Sequence, residues 1–186
     1  MRSAPVAKPD VAWDSRRGEF LISTDRALLD LQVIHGFLTS CYWAKGIPRE
    51  FVARSIENSL CFGIYDGTDE KSPLLPKAGR NGAPAQVGFA RVVSDFATVA
   101  YLGDVFVLES HRGRGLGKWL MECLMQHPAL QGLRRWILLT RDAHGLYAQF
   151  GFKPLKSAER YMELHRPDVY AVSYTHLRAH ETGRNL

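Results

Sequence analysis

The amino-acid sequence predicts a mixed α/β fold, and three observations carry that expectation. Apolar runs of strand length alternate with stretches whose apolar residues recur at helical spacing. A strand, helix, strand unit spans residues 99–140. Between its first strand and its helix lies a glycine-rich turn, Arg112-Gly113-Arg114-Gly115-Leu116-Gly117.

Residues 1–17 hold two prolines and scattered charge without a period, which predicts a mobile leader. Gly18 to Thr24 is a short apolar run fitting a strand. Asp25 can cap a helix in which Ala27, Leu31, Ile34 and Leu38 share a face and which ends near Cys41. Gly46 and Pro48 then signal a turn, placing Tyr42 and Trp43 in a connecting loop, and Pro48 opens a second helix reaching about Asn58. Leu60 to Tyr65 is strand-like. The Gly- and Pro-rich segment 67–85 has no period and predicts a long surface loop.

Gln86 to Val93 and Val99 to Leu108 are strand runs separated by five residues, short enough for an antiparallel hairpin. Leu116, Leu120, Cys123, Leu124 and His127 predict a helix running to Pro128. Trp136 to Thr140 is an apolar strand, buried on both faces if parallel to its neighbour. Ala143 to Phe150 predicts a short helix ended by Gly151, and Phe152 to Leu155 and Tyr161 to Leu164 predict two last strands.

At 186 residues and 46% apolar content, the chain has the size of one globular domain. Its three cysteines are far apart and lack any CxxC or Cys/His pairing, so neither a zinc site nor a disulfide framework is expected. No signal-peptide stretch and no run of about 18 apolar residues appears, which predicts a cytoplasmic protein with no membrane partner. The formal charge of +5 and the pI near 9.2 suit an anionic ligand. They also suit nucleic acid, but the cations form no long run and no aromatic RNA-binding strand motif appears, so no nucleic-acid partner is expected.

The end of the chain, from Val172, reads VSYTHLRAHET and resembles the translation of a sequencing-library adapter. The segment 172–186 is therefore expected to be a non-native tail, and His176 and His180 are not expected to be ligands. Without it the formal charge is +4.

In the glycine-rich turn, glycines let backbone N–H groups approach a phosphate, the helix dipole favours its charge, and Arg112, Arg114 and Lys118 add charged donors. The dinucleotide fingerprint would need glycine where Lys118 stands. The Walker loop would need glycine at Arg112 and a hydroxyl at Trp119.

Arg112, Gly115 and Gly117 fill the pattern of the acetyl-CoA loop in the GCN5-related N-acetyltransferase (GNAT) superfamily, which the chain resembles. Ala143, Tyr147, Gly151 and Phe152 fill a second pattern of that superfamily in the same order. The resemblance covers about Val99 to Phe152. It implies the acyl-CoA N-acyltransferase fold: a central, mostly antiparallel twisted sheet with one parallel strand, helix, strand unit and helices on both faces, as a single domain over 18–166.

The resemblance also implies an acetyl-CoA-dependent N-acetyltransferase acting on a primary amine in a ternary complex, with acetyl-CoA as cosubstrate and no metal. The backbone of Val107 and Leu108 would pair with the pantetheine arm, and one of their N–H groups would bind the thioester oxygen. Gly113 and Leu116 belong to the cradle with Arg112, Arg114, Gly115, Gly117 and Lys118. Tyr147 stands at the general-acid position. Thr140 replaces an asparagine that many members have, so cofactor contacts there are open.

Asp104, a charge within an apolar strand, and Glu109, at its mouth, are the candidate bases. Tyr42, Trp43, Asp95 and His144 are candidates for an amine pocket. The acceptor is expected to be a small-molecule or peptide amine, and the protein a monomer or homodimer. The alternatives are a non-catalytic acyl-CoA-binding module and, less in keeping with the residues, a nucleic-acid binder.

Overall fold

The computed structural model describes residues 11–67 and 85–170. The first ten residues of the expected leader, nearly all of the expected loop 67–85 and the adapter-like tail lie outside the described residues. Six strands form one sheet in sequence order: β1 (Asp14–Arg17), β2 (Phe20–Ser23), β3 (Leu60–Asp66), β4 (Ala85–Ser94), β5 (Val99–Val107) and β6 (Arg135–Leu138). All neighbours are antiparallel except β5 and β6, which run parallel. That parallel pair needs a crossover, and α3 (Leu116–Gln126) supplies it.

Helices cover both faces, as the resemblance implies. On one face α3 and Tyr147 of α4 (His144–Ala148) pack Leu120, Leu124 and Met121 against Phe62, Ile64 and Val92. On the other, α1 (Leu31–Leu38) and α2 (Arg49–Glu57) bury Ile34, Leu38 and Val52 against Phe89 and Phe106. Each such fully buried aliphatic side chain contributes about 1.5–3 kcal/mol through area removed from water.

Four expectations need correction. The leader stops short of residue 17: β1 pairs with β2, and Thr24 N–H donates to Trp13 O at 3.0 Å. The first helix is broken into a 3-10 turn (Arg26–Leu28) capped by Asp25 and then α1, because Asp30 accepts from the N–H groups of Gln32 and Val33 and starts a new helix there. β6 is an edge strand with half-exposed side chains rather than a strand buried on both faces. Among the described residues no strand follows it. Pro154 offers no ladder donor, and Met162 (99% exposed) and Leu164 (82%) lie off the sheet.

β5 carries a bulge. Phe89 lies opposite Phe106 but Arg91 lies opposite Gly103, so two residues of β5 face Ala90 alone, and Asp104 takes φ 55° to make the turn. Aspartate is one of the few side chains that tolerates this left-handed conformation.

Candidate active site

The parallel strands part company at one end of the sheet. β6 pairs with β5 only from Val99 to Leu102, while β5 continues to Val107. Beyond Leu102 the outer edge of β5 has no neighbouring strand among the described residues. Leu108 N–H donates to Val87 O at 2.8 Å. Because antiparallel pairing alternates, Val107 aims its backbone at the opposite, open edge. Of the two expected donors, Val107 therefore keeps a free N–H and Leu108 does not.

The cradle follows. A 3-10 turn at Glu109–His111 is fixed to the end of β3 by a hydrogen bond between His111 Nε2 and Asp66 Oδ2 at 3.0 Å, and Ser110 Oγ lies 2.8 Å from His111 Nδ1. The sequence reading missed this anchor, since nothing local links residues 45 positions apart. Arg112 Nε donates to Val107 O at 3.2 Å and folds the loop back on the strand. Gly113 and Gly115 adopt φ 77° and 75°, and a Cβ added at either would meet nothing within 4 Å. Gly115 is the residue before α3 and supplies no side-chain cap, so the first-turn amides point into open space.

Leu116 is buried and anchors the helix. Gly117 is half-buried beside Leu146, and Arg114 and Lys118 are exposed. This arrangement fits a diphosphate: space, oriented N–H groups and cations in one place.

On α4, Tyr147 is 8% exposed and packs in one core cluster with α3. Burial, followed by the nearby Tyr42 and Asp142, pushes its phenol up to about 12. Thr140 Oγ1 accepts from Ala143 N–H at 3.0 Å and shapes the turn into α4, so its side chain is occupied by the fold. His144 is exposed at the first position of α4.

The loop between α1 and α2 reaches over from the other side. Tyr42 Oη accepts from Arg141 N–H at 3.2 Å, the Arg141 guanidinium lies 3.9 Å from the Tyr42 ring centroid, and Trp43 packs edge-on against Tyr42 at 4.9 Å. Tyr42 and Trp43 thus lie in the loop between α1 and α2, the connecting loop expected for them.

The acidic candidates separate. Asp104 is paired: Arg91 Nε donates to its Oδ2 at 2.7 Å, and Arg91 also reaches Ser59 Oγ at 3.3 Å. An opposite charge in the facing strand run, Arg91, was the available signal. Glu109 is exposed one residue beyond Leu108.

Asp95 belongs to the β4–β5 turn. It accepts from Thr98 Oγ1 and from the N–H groups of Thr98, Val99 and Ala97, which hold its carboxyl well below the usual carboxylate range. It lies at the far end of β5 from Val107, about 26 Å away at about 3.3 Å per residue, and so leaves the amine-pocket set.

Among the described residues no three His, Cys, Asp or Glu side chains come together as a metal site. No helix among them is long and apolar enough to cross a membrane.

A mostly antiparallel sheet with one parallel pair, a splayed edge and a glycine-rich turn at a helix start is the architecture that the resemblance implies, and comparison with known proteins agrees. Residues 80–154 match the family model described as "Acetyltransferase (GNAT) domain". The Gibberella zeae protein called "Putative acetyltransferase FG08082" is 36% identical over 140 residues, covering 72% of this chain and 78% of that protein. A solved GNAT-family protein from Xanthomonas campestris pv. campestris is 48% identical with a TM-score of 0.70, covering 82% of this chain and 96% of that one.

A Clostridium acetobutylicum protein solved with acetyl-CoA shares the fold at 13% identity and a TM-score of 0.50, over 83% of this chain and 95% of that one. The chain belongs to the GNAT acetyltransferase family, whose members use acetyl-CoA, and its enzyme class is acyltransferase.

Proposed function

We propose that this chain moves the acetyl group of acetyl-CoA onto a primary amine by direct attack within a ternary complex. The observation that carries the reading is the open outer edge of β5 ending at Val107, set between a glycine-cleared helix start and the buried Tyr147.

Arg114, Lys118 and the first-turn amides of α3 would hold the diphosphate, and the free edge of β5 would pair with the pantetheine amides. The Val107 N–H would bind the thioester oxygen as negative charge develops there. The amine nitrogen attacks the carbonyl carbon, a C–N bond forms and the C–S bond breaks. Tyr147 gives its proton to the departing sulfur; burial makes the phenol a weaker acid than usual, so the transfer relies on the charge developing on sulfur beside it. Glu109 takes the proton lost by the amine, through water. Asp104 keeps the structural task its pairing with Arg91 indicates.

The cysteines favour direct transfer over an acetyl-cysteine intermediate. Burial pushes all three thiols up, Cys61 to about 12, whereas a nucleophilic cysteine needs a thiolate.

Calorimetric titration with acetyl-CoA tests the reading, beside a Gly117→Trp control checked for folding by thermal melting. Micromolar binding lost in the control, with initial-rate lines that intersect when amine and acetyl-CoA are varied, is the expected result. No binding by the folded wild-type protein would return the loop to a packing role.

A further inference from the structure

We infer that the acceptor is a small amine carrying a carboxylate, an amino acid in its simplest form, and that Arg141 stacked on Tyr42 recognises that carboxylate. This rests on the acetyltransferase reading and names the substrate class of the same site.

The Arg141 guanidinium carbon lies over the Tyr42 ring, 3.9 Å from its centroid, while Arg141 N–H donates to Tyr42 Oη. One tyrosine, 99 positions away in sequence, thus holds both the backbone and the side chain of this arginine. A guanidinium held over a ring keeps its N–H donors in one rigid plane, a fork that matches the two oxygens of a carboxylate. Among the described residues no carboxylate lies within ion-pair distance of it. A positioned cation without an acid partner beside a proposed reaction centre is a recognition element for an anion.

Two of the candidate acids that could draw a polycationic acceptor are engaged elsewhere, and Glu109 is the proposed base. Asp104 is held by Arg91 and Asp95 by its own turn. Asp142 lies near Tyr147 and provides one negative charge beside the one positive charge of Arg141. A cation and an anion at one mouth complement a zwitterion: the ammonium approaches Asp142 and the carboxylate Arg141. Trp43, 43% exposed and edge-on to Tyr42, adds an apolar surface for the rest of the acceptor.

The test measures kcat/KM for pairs of acceptors that differ only in the carboxylate, such as phenylalanine and 2-phenylethylamine, with the wild-type protein, Arg141→Gln and Arg141→Lys. Calorimetry with acetyl-CoA is run on each. A charge-assisted pair corresponds to about tenfold to a hundredfold, so the wild type should prefer the carboxylate member by about tenfold or more. Arg141→Gln should lose that preference, Arg141→Lys should keep part of it, and acetyl-CoA affinity should not change in either.

Equal turnover of both members by the wild type, or a preference that survives in Arg141→Gln, overturns the inference while leaving the acetyltransferase reading in place. Absence of acetyl-CoA binding by the wild type overturns both.

Discussion

The two walls of the site are built by different means. The wall proposed for the cofactor, from Val107 through α3, is made of backbone: a free strand edge, two glycines at positive φ and the first turn of a helix. The wall proposed for the acceptor, from Tyr42 to Tyr147, is made of side chains brought together from the α1–α2 loop and the start of α4. Backbone geometry tolerates little substitution but can bind the same cofactor in many proteins. Side-chain geometry can change its preference without disturbing the cradle. Changes on one wall should therefore be separable from changes on the other.

The sharpest separation is expected at Tyr147. Tyr147→Phe should leave acetyl-CoA affinity unchanged and lower kcat by about a hundredfold or more, the size of a lost general acid. Calorimetry and steady-state rates check this together. With the phenol pushed up to about 12, the wild-type rate should show no decline from loss of the Tyr147 proton below about pH 10, where an ordinary tyrosine would already titrate. A basic limb near neutrality that disappears in Tyr147→Phe would contradict that assignment.

Next in size is the pair beneath the acceptor wall. Arg91→Ala leaves Asp104 without its main partner in a site only 13% exposed, and should cost about 2 kcal/mol of stability in a denaturant titration. Asp104→Asn should leave the shape of the pH–rate profile unaltered. A lost basic limb in that variant would restore Asp104 as the base.

On the cofactor wall Gly115→Ala forces a side chain into φ 75°. It should cost about 1–2 kcal/mol of stability and weaken acetyl-CoA binding, with the acceptor KM unmoved. The smallest effect is expected at Tyr42→Phe, which keeps the ring but removes the acceptor for Arg141 N–H. About 1 kcal/mol or less of stability should be lost, together with a higher acceptor KM and an unchanged acetyl-CoA affinity.

The difference between the walls also explains what was legible. The glycine cradle, the helix behind it and the tyrosine of α4 were readable because each depends on neighbours a few positions away. The bulge at Asp104 was not, since an extra residue in β5 shows only when its register against β4 is known. The same holds for Leu108, whose N–H looked as available as that of Val107 until Val87 was found opposite it. Asp95 was misplaced because a carboxylate at a turn looks the same in sequence whether it binds a ligand or its own backbone.

The sequence alone determined the alternation of strands and helices, the place of the glycine-rich turn before α3 and the position of the buried phenol, because periodicity, glycine and helix starts act over a few residues. Only the tertiary structure decided which edge of β5 stays open, which carboxylate Arg91 neutralises and that Tyr42 meets Arg141. Those outcomes depend on register and on contacts between segments up to 99 positions apart, which no local pattern records.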